Sequence, residues 1–191
     1  MRITLALFVV LTMAAACRAI PIVFTHEGRG TGQIGNTAFN DIPFKIVARG
    51  DTANRVQRSA TAYSIAHDSA LIELGNIGTL TYITPTRTFS QTLNGGIVGF
   101  SLAIDEFSDL ISGPFNPTFV TWDMTSSIGP ISGAAPFHAR PATAITSGGT
   151  LQIQFTPAFD TATFTARVVP EPSAAALVIM VTSLLAWRVR H

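Results

Sequence analysis

The chain has 191 residues, a formal net charge of +1, 12% charged residues and one cysteine. That balance excludes the basic surface of a nucleic-acid binder, and a single cysteine excludes a disulfide framework. The hydrophobic fraction, 47%, is raised by two apolar ends. Between residues 20 and 168 eight basic side chains face ten acidic ones, a balance of −2.

The N-terminus opens with Met1-Arg2, runs almost wholly apolar from Ile3 to Met13, and continues with Ala14-Ala15-Ala16. A basic start, a short apolar core and small residues predict a secretory signal peptide over residues 1–19. Two cut sites compete. Ala14-x-Ala16 would leave Cys17 first, and Cys17-x-Ala19 would leave Ile20 first. The second gives a short segment after the apolar run, so cleavage after Ala19 is expected, leaving no cysteine. A lipoprotein through Cys17 is the weaker reading, because Ala14 stands where a lipobox carries leucine.

Residues 20–168 have the size of one domain. Their periodicity is that of strands: Ile42, Phe44, Ile46 and Ala48 alternate with Pro43, Lys45, Val47 and Arg49, as Leu151, Ile153 and Phe155 do with Gln152, Gln154 and Thr156. Further strands are expected at 20–25, 60–66, 71–74, 78–83, 87–92, 97–104, 118–124 and 162–168, from β-branched and aromatic content. Turns are expected at Gly28-Arg29-Gly30, Gly50-Asp51, Gly75-Asn76, Asn94-Gly95-Gly96 and Gly148-Gly149. Only Asp105–Ser112 suggests a helical turn. Many short strands without long helices predict an all-β fold, an antiparallel β-sandwich or jelly roll. Trp122 alternates with Val120 and Met124, which favours a core role; on an exposed face it would stack on sugars.

Several constellations look chemical and lack the context their chemistry requires. Gly30-Thr-Gly32-Gln-Ile-Gly35 has dinucleotide-binding spacing, but no helix pattern follows to meet a pyrophosphate, so a glycine-rich hairpin is expected. Gly99-Phe-Ser101-Leu-Ala103, with Asp123 and His138 downstream, resembles a nucleophile elbow, which needs a strand-to-helix turn; Ser101 lies in an alternating apolar strand instead. Arg49-Gly50-Asp51 reads as a hairpin turn. His26, His67 and His138 lack metal-ligand spacing and read as surface or turn residues. Asp105, Glu106 and Asp109 lack the alternating ligands of a calcium loop and read as a solvated face. No catalytic, metal or cofactor-binding residue is assigned, and no cofactor is expected.

The C-terminus is the most specific part. Pro170-Glu171-Pro172 is followed by an uncharged apolar run, Ser173–Trp187, and then Arg188-Val189-Arg190-His191. The prolines keep the backbone extended, residues 173–187 are expected to form a transmembrane helix, and Arg188 and Arg190 hold its end at the cytoplasmic face. As a helix the run spans about 22 Å, short of the roughly 30 Å hydrocarbon core, which suits a transient anchor. Together these residues, Val169 to His191, resemble the PEP-CTERM sorting signal of exported bacterial proteins. Thr121–Pro130, Ile77–Tyr82, Val98-Gly99-Phe100 and Gly149-Thr150-Leu151 are similar to segments of small β-rich ectodomains carrying that signal. The resemblance implies recognition of Pro170-Glu171-Pro172 by an exosortase, a membrane cysteine protease or transpeptidase. It also implies an envelope setting with exopolysaccharide and biofilm production.

The sequence therefore reads as three parts: a signal peptide (1–19), a β ectodomain (20–168) and a sorting signal (169–191). The expected function is that of a non-enzymatic exported envelope or surface protein. Its expected partners are an exosortase, the membrane and exopolysaccharide or other envelope components, with no nucleic acid. The alternative is a carbohydrate- or matrix-binding module.

Overall fold

The computed structural model describes residues 20–104, 108–135, 143–154 and 161–169. Eleven strands occur among them: β1 (Pro21–Ile34), β2 (Thr37–Ser59), β3 (Ala62–Leu74), β4 (Gly78–Thr81), β5 (Thr86–Gln91), β6 (Ile97–Leu102), β7 (Asp109–Phe115), β8 (Ile128–Ala134), β9 (Thr143–Thr146), β10 (Gly149–Gln154) and β11 (Thr161–Val168). Every pairing is antiparallel, so the all-β expectation holds. Among the described residues no helix is long and apolar enough to cross a membrane. The expected signal peptide (1–19) and the expected helix 173–187 lie outside the described residues.

Three long strands organise the sheet: β2 lies between β1 and β3, and β1 and β3 each change their outer neighbour along their length. At one end β10, β1, β2, β3 and β4 pair in succession. A bridge between Tyr82 and Thr146 then joins β4 to β9, which pairs with β10 and closes a ring. At the other end β1 turns to β11 and β8, while β3 passes to β5, β6 and β7. The sheet curls until β7 packs beside β8. Curling encloses one core, and strict alternation supplies it: Ile22 and Phe24 from β1, Phe44, Ile46 and Ala48 from β2, and Ala162, Phe164 and Ala166 from β11. Each such large side chain contributes about 1.5–3 kcal/mol on burial.

Predicted hairpins at Gly75-Asn76 and Gly148-Gly149 are present, and Leu93–Gly95 forms a short 3-10 turn between β5 and β6. Gly30–Gly35 is the hairpin end of β1, turning into β2. Four expectations are corrected. Gly28–Gly30 lies within β1, where an irregularity between Gly30 and Gly32 absorbs it. Gly50-Asp51 is not a turn: β2 runs through it with bulges at Arg49/Gly50 and beyond. The reason is that β2 has partners on both edges, so the chain bends without reversing. At Gly50 a side chain would meet the Ala66 carbonyl at 2.8 Å. Thr118–Met124 is not a strand; Pro117–Val120 is a 3-10 turn, started by Asn116, whose Oδ1 accepts from the Thr118 amide at 3.0 Å. Asp109–Ser112 opens β7 and is no helical turn; 105–107 lie outside the described residues. Trp122 and Met124 are nevertheless buried, as expected, and Trp122 Nε1 donates to the Ser126 carbonyl at 2.9 Å. Val120, on the supposed same face, is exposed.

Candidate functional site

The residues assigned to sorting and export, namely Ala19, Pro170, Glu171, Pro172, Arg188 and Arg190, lie outside the described residues. Their neighbours do not. Ile22 is in register with Val168, and the Val169 amide donates to the Pro21 carbonyl at 2.8 Å. Both flanks of the domain therefore leave the sheet at one corner. Pro21 is also opposite Asp51 of β2, and Asp51 Oδ1 accepts from the Ile20 amide at 3.1 Å.

Of the elbow-like residues, Ser101 and Asp123 are described, and they lie on separate elements. Ser101 is in β6 between two antiparallel neighbours, fully buried, and its Oγ accepts from Arg87 Nε at 3.0 Å. Asp123 lies on a separate turn, 3.7 Å from Arg55, and its carboxyl is held below the usual range, chiefly by the Thr125 hydroxyl. His138 lies outside the described residues. Replacing Ser101 with alanine is expected to lower stability by about 1–3 kcal/mol, because it strips a buried guanidinium of an acceptor. No hydrolytic activity should change. An ester hydrolysis lost in Ser101→Ala, with the unfolding midpoint unmoved, would contradict this assignment.

The histidines overturn the surface-or-turn expectation. His26 follows Ile22 and Phe24 on the inward side of β1 and is 2% exposed. His67 of β3 is half-buried beside it. Thr88 of β5 links them: its Oγ1 is 3.2 Å from His26 Nε2 and 2.9 Å from His67 Nε2, while His67 Nδ1 is 2.9 Å from Thr86 Oγ1. Since β1 and β5 are not neighbours in the sheet, the His26–Thr88 contact crosses the interior. Aromatic rings enclose it. Phe164 is 4.8 Å from His26, and Phe100 is stacked 5.3 Å from His67.

Burial pushes both imidazoles down to about 3, with the proximity of His26 adding to the effect on His67. Both are neutral at physiological pH. The Thr88 hydroxyl oxygen can accept, so a neutral His26 meets it by donating through Nε2–H. This leaves His26 Nδ1, which has no partner, as a bare lone pair; the reverse would bury an unpaired N–H. Tyr82, its hydroxyl buried without a partner, is likewise held neutral, its pKa raised by burial. Among the described residues no three histidine, cysteine or carboxylate groups could hold a metal. The network is a neutral polar tie across an apolar core. The period-two series Ile22, Phe24, His26 was its one legible signal.

Outside the core, a half-open groove of about 310 Å³ is lined by Arg58, Tyr63, Arg87, Phe89, Gln91 and Asp109, among others. Arg58 Nε donates to Ser64 Oγ at 3.0 Å. Phe89 lies over Gly99, where any side chain would collide with its ring. The architecture is thus an all-β, antiparallel, curled sheet with a neutral histidine tie. No family model matches the chain, and no curated protein or solved structure is detectably similar to it.

Proposed function

We propose that this chain is an exported, non-enzymatic envelope or surface protein, with a sandwich-like β ectodomain delivered by a C-terminal PEP-CTERM signal that an exosortase processes. The support is the sequence of 169–191 together with one structural observation: the Val169 amide is bonded to Pro21, so the segments that would enter the membrane at either end leave from the same corner. A domain with that exit geometry can stand on a bilayer without unfolding while both signals are engaged. Pro170-Glu171-Pro172 is then the element read by the enzyme, and residues 173–187 with Arg188 and Arg190 position it. Drawing an arginine to the bilayer centre costs about 3 kcal/mol on insertion scales.

Pro170→Ala combined with Glu171→Ala is expected to block processing while leaving export and insertion intact. Replacing Arg188 and Arg190 should loosen topology instead. The measurement is mass spectrometry of the C-terminal peptide from cells with and without an exosortase. A tail ending at His191 in equal amount in both would make this an ordinary tail anchor.

A second reading, a carbohydrate- or matrix-binding module, draws on the Arg58–Phe89 groove, which joins hydrogen-bonding groups to an aromatic face. Its volume suits a small ligand. On this reading, titration with neutral and uronate-containing oligosaccharides gives a binding isotherm that both Arg58→Ala and Phe89→Ala abolish. No binding by the unaltered protein would remove the reading.

A further inference from the structure

Arg49-Gly50-Asp51 carries no turn, yet its aspartate is placed with care. Asp51 Oδ1 accepts from the Ile20 amide at 3.1 Å and from the Ala53 amide at 2.7 Å. The Thr52 amide donates back to the Ile20 carbonyl at 3.1 Å. Ile20 is therefore held on both sides by β2, its nitrogen against a carboxylate. Among the described residues no lysine or arginine forms an ion pair with Asp51, and both Asp51 and Ile20 are half-buried.

Resting on cleavage after Ala19, we infer that Asp51 is the receptor for the N-terminus that signal-peptide removal creates. Hydrolysis adds water across the Ala19–Ile20 bond: the hydroxyl goes to the Ala19 carbonyl carbon and a proton to the Ile20 nitrogen. The amine takes a further proton from solvent, as an α-amino group does below about pH 8. One amide donor becomes a cation with three donors at the same place. The neutral-to-charged contact with Asp51 becomes an ion pair, the stronger kind of hydrogen bond. Maturation thus locks the first residue of the domain to β2 beside the corner from which Val169 leaves. A cut after Ala16 would leave Cys17-Arg18-Ala19 in front, with Ile20 still an amide and no ion pair formed. The geometry gives a physical reason for Ala19 over Ala16.

The test uses the full chain, exported by cells that lack an exosortase so that the tail is the same in every sample. Lys45 is the only lysine. With Lys45→Arg as background, acetic anhydride near neutral pH blocks only the α-amine. Mass spectrometry first reads the N-terminal residue. Denaturant unfolding then compares unmodified and acetylated protein, with Asp51 intact and with Asp51→Asn, which keeps the acceptor oxygen and removes the charge. Acetylation is expected to lower the folding equilibrium constant about fivefold with Asp51 intact, and to leave the Asp51→Asn protein within twofold. A chain that starts at Ile20 but responds equally in both backgrounds overturns the ion pair and leaves the cleavage reading standing. A chain that starts at Cys17, with or without lipid, overturns the cleavage reading and this inference with it.

Discussion

Acidification from about pH 7 to about pH 4.5 is expected to remove about 3 kcal/mol of folding stability through His26 alone. The folded imidazole is held down to about 3 by burial, whereas in the unfolded chain it titrates near 6.5. Between those values the unfolded state binds the extra proton, so stability is full above about pH 6.5 and falls with pH below it. His67, pushed down to about 3 chiefly by burial, adds to the slope in the same direction. Carboxylates act lower. Asp41, held down chiefly by its hydrogen bond from Arg29, and Asp123 contribute stability that is present above their usual value of 3.8 and is lost only on descent through their folded values. A comparison at about pH 4.5 therefore isolates the histidines. Urea midpoints at the two pH values make the measurement, and His26→Phe should flatten the dependence while holding the fold near neutrality. An unaltered protein equally stable at both values would mean that His26 is not buried as described.

The second large effect lies beside the first. Phe164 is fully buried on β11, and four rings surround it: His26 at 4.8 Å, Trp122 at 5.4 Å, Phe119 at 5.8 Å and Phe24 at 6.3 Å. It joins β1 of the closed ring to the 3-10 turn that carries Phe119 and to Trp122 just beyond it. Phe164→Ala is expected to cost about 3–5 kcal/mol, a transfer loss plus the cavity that rigid neighbours cannot fill. That is a large share of a domain's usual 5–15 kcal/mol. Phe164→Leu, which keeps more of the volume, should cost clearly less. The alanine variant also opens a path for water to His26, so its imidazole should titrate closer to 6.5 and its acid sensitivity should shrink. A midpoint shift below about 1 kcal/mol for Phe164→Ala would show that the aromatic cluster is not the centre of the core.

Both effects start from residues that the sequence treats very differently. Phe164 stands in Ala162–Val168, whose alternation marks it as a strand residue on an apolar face. His26 carries the same alternation from Ile22 and Phe24, but as an isolated polar residue it reads as exposed. Nothing local separates the two cases. A histidine is affordable inside only when partners satisfy it, and its partner Thr88 is 62 positions away on a strand that never pairs with β1.

The amino-acid sequence by itself determined the all-β class, the hairpins at Gly75-Asn76 and Gly148-Gly149 and the glycine-rich end of β1, because period, turn chemistry and apolar pattern are local quantities. The proposed sorting signal rests on the sequence alone, on residues outside those described. Only the tertiary structure decided which face of each strand turns inward and what meets it there. It carried β2 straight through Gly50, since partners on both edges outweigh a turn-prone dipeptide. It seated Ser101 under Arg87 and tied His26 to His67 through Thr88. It also brought Pro21, Asp51 and Val169 to one corner. Each of these depends on strands distant in sequence being curled into contact, and a period of two records which side chains share a face without recording what lies across from it.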